Sequence, residues 1–428
     1  MTYPEIPSPP LTATEVEDLI DELRTADQAR AAAVVDLLTH RVAPGVDDAA
    51  RAKAGFLAAV AAGTETCSAI DARQAVILLG TMLGGYNVAP LVELLRNETL
   101  GSLAADQLAG TLLLFDAFAD VVELYRQGNP HAGAVIRSWA EADWFTRRPE
   151  VPAEIHLTVF KVEGEVTTDD LSPATEAWSR PDIPHHAVSF LQNRAGHEDA
   201  LERIAGLKTA GRPVAFVGDV IGTGSSRKSA TNSLLWHIGD DIPFVPNKRG
   251  GGFVIGSQVA PIFFDTLQDA GALPIECRVD GMLTGDHVVL RPHDGRIETP
   301  TGETIAGFTL RSRSLPDYVR AGGRVPLIIG RNLTDKAREV LELGPSPAFA
   351  RPVAASGLTD YTLAQKIVGR ACGVDGVAPG TACEPTVSTV GSQDTTGPMN
   401  RAELQDLACL GFSADLVLQT FCHTAAYP

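Results

Sequence analysis

The chain has 428 residues, 44% hydrophobic and 21% charged, enough at roughly 100–200 residues per domain to bury several cores, and too long for a disulfide-stapled scaffold. Its 40 glycines and 28 prolines stay below the roughly 25–30% that marks low-complexity sequence, which excludes bulk disorder and collagen-like repeats. Acidic residues outnumber basic ones, 53 to 35, and the net charge of −18 repels polyanions, so nucleic acid has only a local basic patch to use.

From about residue 13 to 150 the sequence is rich in Ala and Leu, with apolar residues three and four apart, as at Val16, Leu19, Ile20 and Leu23. Amphipathic helices are predicted over 28–38, 47–61, 72–83, 90–95, 104–125 and 130–144, separated by breakers such as Pro44-Gly45, Gly63 and Gly128-Asn129-Pro130. The apolar stretch 75–92 is interrupted by Gly84-Gly85-Tyr86-Asn87 and Pro90, so it reads as helix, turn and helix rather than a membrane span. Short connectors predict stacked antiparallel pairs, similar to a solenoid, without a repeat of fixed period; an ordinary helical bundle is the alternative.

The texture changes after Arg147-Arg148-Pro149. Ile155-His156-Leu157-Thr158-Val159-Phe160 alternates as strands do, and 214–218, 253–255, 273–275 and 287–290 read as further short strands, with helices over 229–237 and 261–269. An α/β or β/β/α domain is predicted, ending near Ile328-Ile329-Gly330 and followed by helical links over 334–343 and 362–368. The stretch 388–428 reads as a polar loop and an amphipathic helix over about 401–410. The six cysteines (Cys67, Cys277, Cys372, Cys383, Cys409, Cys422) include no C-x-x-C pair, and no basic then apolar region opens the sequence, so a cytoplasmic location is expected.

The most informative segment is Gly218-Asp219-Val220-Ile221-Gly222-Thr223-Gly224-Ser225-Ser226-Arg227-Lys228-Ser229. Strand, glycine-rich turn and helix offer free backbone N–H groups and a positive helix end to an anion. A phosphate-binding P-loop needs G-x-x-x-x-G-K-[ST], and Arg227 stands where its second glycine belongs. Two serines before an arginine suit a carboxylate substrate: arginine grips it at two points, and cations with amide dipoles push a serine towards alkoxide, as a serine base requires. No G-x-S-x-G elbow surrounds Ser225, which argues against a Ser-His-Asp hydrolase. The plainer alternative is a tight turn with Ser225 capping the helix.

Asp169 and Asp170 in Thr167-Thr168-Asp169-Asp170-Leu171-Ser172-Pro173 read as turn and capping residues, or as groups orienting hydroxyls or a cation. Asn247-Lys248-Arg249-Gly250-Gly251-Gly252 reads as an anion contact or a solvated turn. Gly391-Ser392-Gln393-Asp394-Thr395-Thr396-Gly397 has the small polar residues of a loop that approaches a ligand closely, and His423 near the end is a candidate acid or base.

Taken together, these residues resemble the N-terminal half of the bacterial aconitase B family of aconitate hydratases. The resemblance runs from Asp36-Leu37-Leu38-Thr39-His40-Arg41-Val42 and Lys53-Ala54-Gly55-Phe56-Leu57, through Leu78-Leu79-Gly80-Thr81-Met82-Leu83-Gly84-Gly85-Tyr86-Asn87, to the last residue. It implies a multidomain α and α/β chain: a HEAT-like helical domain (1–150), a swivelling β/β/α domain (151–345), a linker (346–385) and the start of the first cluster-binding α/β domain (386–428). It further implies Ser225 as catalytic base, with Ser226 and Arg227 on a substrate carboxylate and Arg180 on a second one. Gln393, Asp394 and Thr395 would form a substrate-binding loop, and His423 would be an active-site histidine. The implied reaction is reversible conversion of citrate to isocitrate through cis-aconitate, with dehydration of 2-methylisocitrate as a related activity.

The family's [4Fe-4S] cluster is held by three cysteines of later domains, two of them in a C-x-x-C pair. That pair is missing here, so no metal ligand is expected in this chain; the sequence is expected to stop within the first cluster-binding domain and to be inactive alone. The implied partners are the tricarboxylate and a second copy through the helical domain, with weak RNA binding and no membrane. Two other readings stay open: one subunit of a two-chain hydratase, and a non-catalytic dimerisation or RNA-binding module.

Overall fold

A computed structural model describes residues 6–45, 47–114, 116–176, 182–350, 360–381, 383, 385–393 and 416–420. The chain opens with helices α1 (Ala13–Leu23), α2 (Gln28–His40), α3 (Asp48–Ala61), α4 (Ala72–Gly80), α5 (Val88–Leu94), α6 (Gly101–Ala109), α7 (Ala117–Arg126), α8 (Pro130–Ala140) and α9 (Asp143–Thr146). Their starts are written in the sequence: Thr12, Asp27, Asp47, Asp71 and Asn129 each accept a bond from a first-turn N–H, and Thr12/Glu15 and Asp71/Gln74 complete capping boxes. The helices bury one continuous core, with Val16, Leu57, Leu79, Leu108 and Trp139 at or near zero exposure and alanines such as Ala50 and Ala104 between them.

Two predicted helices are broken. The run 104–125 is α6 and α7, because Gly110 ends the first and Leu113 then bridges in extended form to Gly84. A Cβ on Gly84 would lie 2.6 Å from the Leu113 Cβ, so this crossing needs a glycine. The run 130–144 is α8 and α9, parted at Ala142, which turns left-handed with φ of 58°.

Next come β1 (Ile155–Thr167), α10 (Thr168–Leu171), a 3-10 turn (Ala174–Glu176), α11 (Ile183–Ala187), α12 (Ala200–Lys208), β2 (Val214–Thr223) and α13 (Arg227–Ile238). The short β3 (Asp240–Asp241) and β4 (Arg249–Gly250) pair with each other, and β5 (Phe253–Val259), α14 (Pro261–Asp269), β6 (Leu273–Glu276), β7 (His287–Arg291), β8 (Arg296–Glu298) and β9 (Thr304–Gly307) follow. Seven strands form one sheet in the order β6-β5-β2-β1-β7-β8-β9. β6, β5, β2 and β1 run parallel, whereas β7, β8 and β9 are antiparallel, so β1 is where the pairing switches. Alternation splits the core by face: Phe160, Val162, Phe216 and Val254 pack with the helices, and Leu157, Val159, Ala215, Val217 and Ile255 fill the other side.

Helices α15 (Leu315–Ala321) and α16 (Arg324–Val340) follow the sheet. The predicted domain end at 328–330 and the link at 334–343 therefore fall largely within one helix. α16 returns to the helical layer: Leu333 and Ala337 join its core, Trp144 Nε1 donates to Thr334 Oγ1 at 3.0 Å, and a Cβ on Gly330 would lie 2.2 Å from the Trp144 ring. α17 (Leu363–Ala371) and a parallel pair, β10 (Thr389–Gln393) with β11 (Leu416–Thr420), complete the described chain. The helix predicted over 401–410 lies outside the described residues. Among the described residues no helix is long and apolar enough to cross a membrane.

Candidate functional site

The site candidates gather where parallel strands end. Thr167 of β1 pairs with Thr223 of β2, and Ile221 of β2 with Val259 of β5; each strand then feeds a helix, α10, α13 and α14. The carboxyl ends of parallel strands in an open α/β sheet are where ligands bind, since the helix N-termini converge there.

The turn between β2 and α13 is held on both sides. Gly222 and Gly224 are left-handed, with φ of 82° and 118°; a Cβ on Gly222 would fall 2.2 Å from the Phe263 ring of α14, and one on Gly224 2.2 Å from Thr168 Oγ1 of α10. Only glycine meets both demands at these positions. Thr223 Oγ1 donates to Glu165 Oε1 at 2.7 Å, tying the turn to β1.

Ser225 is half-buried, and Ser226 is 9% exposed at the cap position of α13. The plainer reading of Ser225 as the helix cap fails: Ser226 occupies that position, and its side chain makes no capping bond. The Arg227 N–H donates to Ser225 O at 3.0 Å, and Arg227 Nη1 folds back to Gly224 O at 3.1 Å. No carboxylate among the described residues pairs with that guanidinium, so its charge adds to the positive helix end.

The second segment lies against this turn, but its acids divide. Asp170 is structural: its carboxylate accepts from Thr167 N–H at 2.7 Å and Thr167 Oγ1 at 2.9 Å, closing the box that starts α10, and pairs with Arg194 at 3.1 Å. Asp169 is exposed. Beyond them, Ser172 Oγ and His186 Nε2 stand 2.6 Å apart and buried, linking α10 to α11, a pair that sequence reading missed because nothing in the spacing marks it. His237 of α13 donates through Nε2 to Ala187 O at 2.7 Å and so holds α11 from below.

Asn247 belongs to neither a solvated turn nor an anion site. It is left-handed and 8% exposed; its Nδ2 donates to Asp182 Oδ2 at 2.8 Å and to Ser8 O at 3.0 Å, and its Oδ1 accepts from Arg41 Nη1 at 3.1 Å. Burial raises the Asp182 carboxyl, and the Asn247 bond and His185 pull it back down. Arg249 is likewise occupied internally, paired with Asp241 at 2.7 Å and stacked over the Trp236 ring.

Ser225, Ser226 and Arg227 are thus together in one turn. Arg180, Asp394, Thr395 and His423 lie outside the described residues, and Gln393 is described only in its backbone, paired with Thr420 at the end of β10.

Comparison with known proteins decides the family. Residues 2–145 match the aconitate B N-terminal domain, and residues 157–360 match the aconitate hydratase 2 N-terminus. Aconitate hydratase B of Synechocystis sp. is 57% identical over 426 residues, covering 99% of this chain and 49% of that protein. The chain belongs to the aconitase B family. The Pseudomonas aeruginosa and Escherichia coli aconitate hydratases B agree, at 55% and 54% identity over 98% of this chain and 50% of theirs. The chain therefore spans about half the length of the curated relatives it matches. A 3-isopropylmalate dehydratase structure from Methanocaldococcus jannaschii aligns with 43% of this chain and 99% of its own, at 19% identity and a TM-score of 0.33, a likeness from which neither fold nor function follows.

Proposed function

We propose that this chain supplies the serine base and carboxylate-binding residues of an aconitate hydratase, which interconverts citrate and isocitrate through cis-aconitate and also takes the related 2-methylisocitrate. The observation that carries the reading is the Ser225-Ser226-Arg227 turn: two serines outside the helix's own capping, beside an arginine with no carboxylate partner among the described residues, at the carboxyl ends of parallel strands. Ser225 Oγ takes the proton from the carbon next to a carboxylate, a weak acid that needs a preorganised base. The α13 N-terminus and Arg227 stabilise the alkoxide form of Ser225 and hold the carboxylate with Ser226. Family resemblance adds Arg180 on a second carboxylate, Gln393, Asp394 and Thr395 on the substrate, and His423 as acid or base.

An iron-sulfur cluster belongs to the reading of the complete enzyme, where it would act on the departing hydroxyl. The described cysteines do not fit one: Cys67 lies among the helices, Cys277 is buried beside β6 with its thiol pushed up to about 11 by burial, and Cys372 and Cys383 are in the segment around α17. Among the described residues no three potential ligands converge. We read the helical layer as HEAT-like, the sheet domain as the swivelling domain, the layer as the homodimer contact with at most weak RNA binding, and the location as cytoplasmic.

The test is calorimetric titration of citrate into this chain, with cis-aconitate formation followed after anaerobic treatment with iron and sulfide. Citrate should bind, Arg227→Gln should lose that binding, Ser225→Ala should keep it, and no turnover should appear. Equal citrate affinity in Arg227→Gln and the parent would remove the proposed site.

A further inference from the structure

We propose that a cavity at the open edge of β1 binds a doubly charged tetrahedral oxyanion, a free phosphate or the phosphate end of a small ester. None of its lining residues takes part in the hydratase reading. β7 pairs with β1 only from Ile155 to Thr158. Farther along, the loop before β7 covers the strand: Lys161 N–H donates to Thr284 Oγ1 at 2.9 Å, and Thr284 Oγ1 donates to Lys161 O at 3.3 Å. The cavity beside this loop measures about 200 Å³ and is lined by Lys161, Glu163, His197, Arg203, Leu283 and Thr284. It has room for several waters at about 30 Å³ each but is smaller than the roughly 300–1,000 Å³ pockets of larger organic ligands, which selects a small ion or ester.

Lys161, His197 and Arg203 make this lining basic on a chain whose net charge is −18. Lys161 Nζ is anchored on Val279 O at 3.1 Å and has no carboxylate partner among the described residues. Arg203 reaches Asp199 only at 3.8 Å, a surface pair that neutralises little, and lies over the Phe160 ring at 5.5 Å. His197 stands edge-on to the same ring at 6.3 Å, which brings the imidazole and the guanidinium together. Its Nδ1 is buried without a hydrogen-bond partner, a need that an acceptor beside it meets. Burial, then the charges of Arg203 and Arg194, hold this imidazole below its ordinary value against the upward pull of Asp199 and Glu198, and a bound anion adds to that pull. Glu163 is the one acid on the lining, and it opposes an anion. Leu283 is exposed and offers carbon to the organic part of an ester.

Sulfate keeps both charges through the neutral range and is the probe, titrated calorimetrically into the full chain against chloride of equal ionic strength. In Arg227→Gln, which removes the anion grip of the Ser225 turn, one sulfate should still bind, so this site and the hydratase reading fail separately. Adding Arg203→Gln or Lys161→Gln to that variant should weaken binding about tenfold, the loss of one charge-assisted hydrogen bond. Adding Glu163→Gln should tighten it. The His197 ring resonance should titrate at higher pH in sulfate than in chloride. At pH 8, tighter binding of methyl phosphate than of inorganic phosphate would assign an ester to the site, and equal binding the free ion. Lys161→Gln also loses the anchor on Val279, so the surface variant Arg203→Gln decides: full sulfate affinity in its folded form would overturn the proposal. So would absence of sulfate binding in Arg227→Gln, or a His197 titration that sulfate leaves unmoved.

Discussion

Asn247 Nδ2 donates to Asp182 Oδ2 at 2.8 Å, while Asn247 Oδ1 accepts from Arg41 Nη1 at 3.1 Å, so one buried amide joins the helical layer to the segment that begins α11. Asn247→Ala removes a donor from a carboxylate that is already raised by burial, at a cost of about 2–3 kcal/mol. A raised carboxyl means the folded state holds its proton longer, so ionised Asp182 costs stability as pH climbs above the ordinary value of 3.8. The deficit of Asn247→Ala should therefore be larger at pH 7 than at pH 4 in paired thermal unfolding; an equal deficit at both would show that Asp182 is not the affected group.

Lys53 of α3 is 3% exposed, and burial pushes its ammonium down to about 8. A lysine lowered from 10.5 leaves the folded state with fewer protons, so it weakens the fold below pH 8 and ceases to do so as pH rises towards 10.5. Lys53→Met should stabilise the chain at pH 7, by about 3 kcal/mol at most, and the gain should fade through that window in urea titrations. A gain independent of pH would assign the effect to packing instead.

His237 makes the fold sensitive to acid in a lower window. Desolvation pulls it down against a bond to Ala187 O that favours its charge, and Lys208 and Arg249 add to the fall, leaving it at about 4. Since an unfolded histidine titrates near 6.5, the unfolded chain binds more protons between those values, and Tm should drop as pH falls from 6.5 towards 4. His237→Gln, which keeps a donor for Ala187, should flatten that part of the Tm profile.

Gly224→Ala puts a methyl against Thr168 and an L side chain at φ of 118°, costing about 2 kcal/mol or more. Thr168→Ala should relieve the collision but not the backbone strain, so the double variant should recover only part of the loss in chemical denaturation. Full recovery would mean the backbone at Gly224 relaxes freely.

Local pattern carries much of the architecture. Helix α14 begins and ends where its pattern predicts, at Pro261 and Asp269, and the strand runs at 155–160 and 214–218 fall within β1 and β2. The Ser225-Ser226-Arg227 turn is legible because its three residues are consecutive and follow two glycines one residue apart. What escapes depends on distant partners. Leu113 leaves helical form to meet Gly84, and α16 runs on through Ile328-Ile329-Gly330, where the pattern ends the domain, to pack on Trp144. Asn247 and Asp182 are 65 residues apart, and no local pattern announces that one will cradle the other.

The return of α16 has a consequence for synthesis on the ribosome. Trp144 leaves the exit tunnel long before Gly330 and Thr334, the residues that receive it, and the whole seven-stranded sheet is made in between. The nascent helical layer must wait with that edge uncovered, so its last docking step comes only after the sheet domain has emerged.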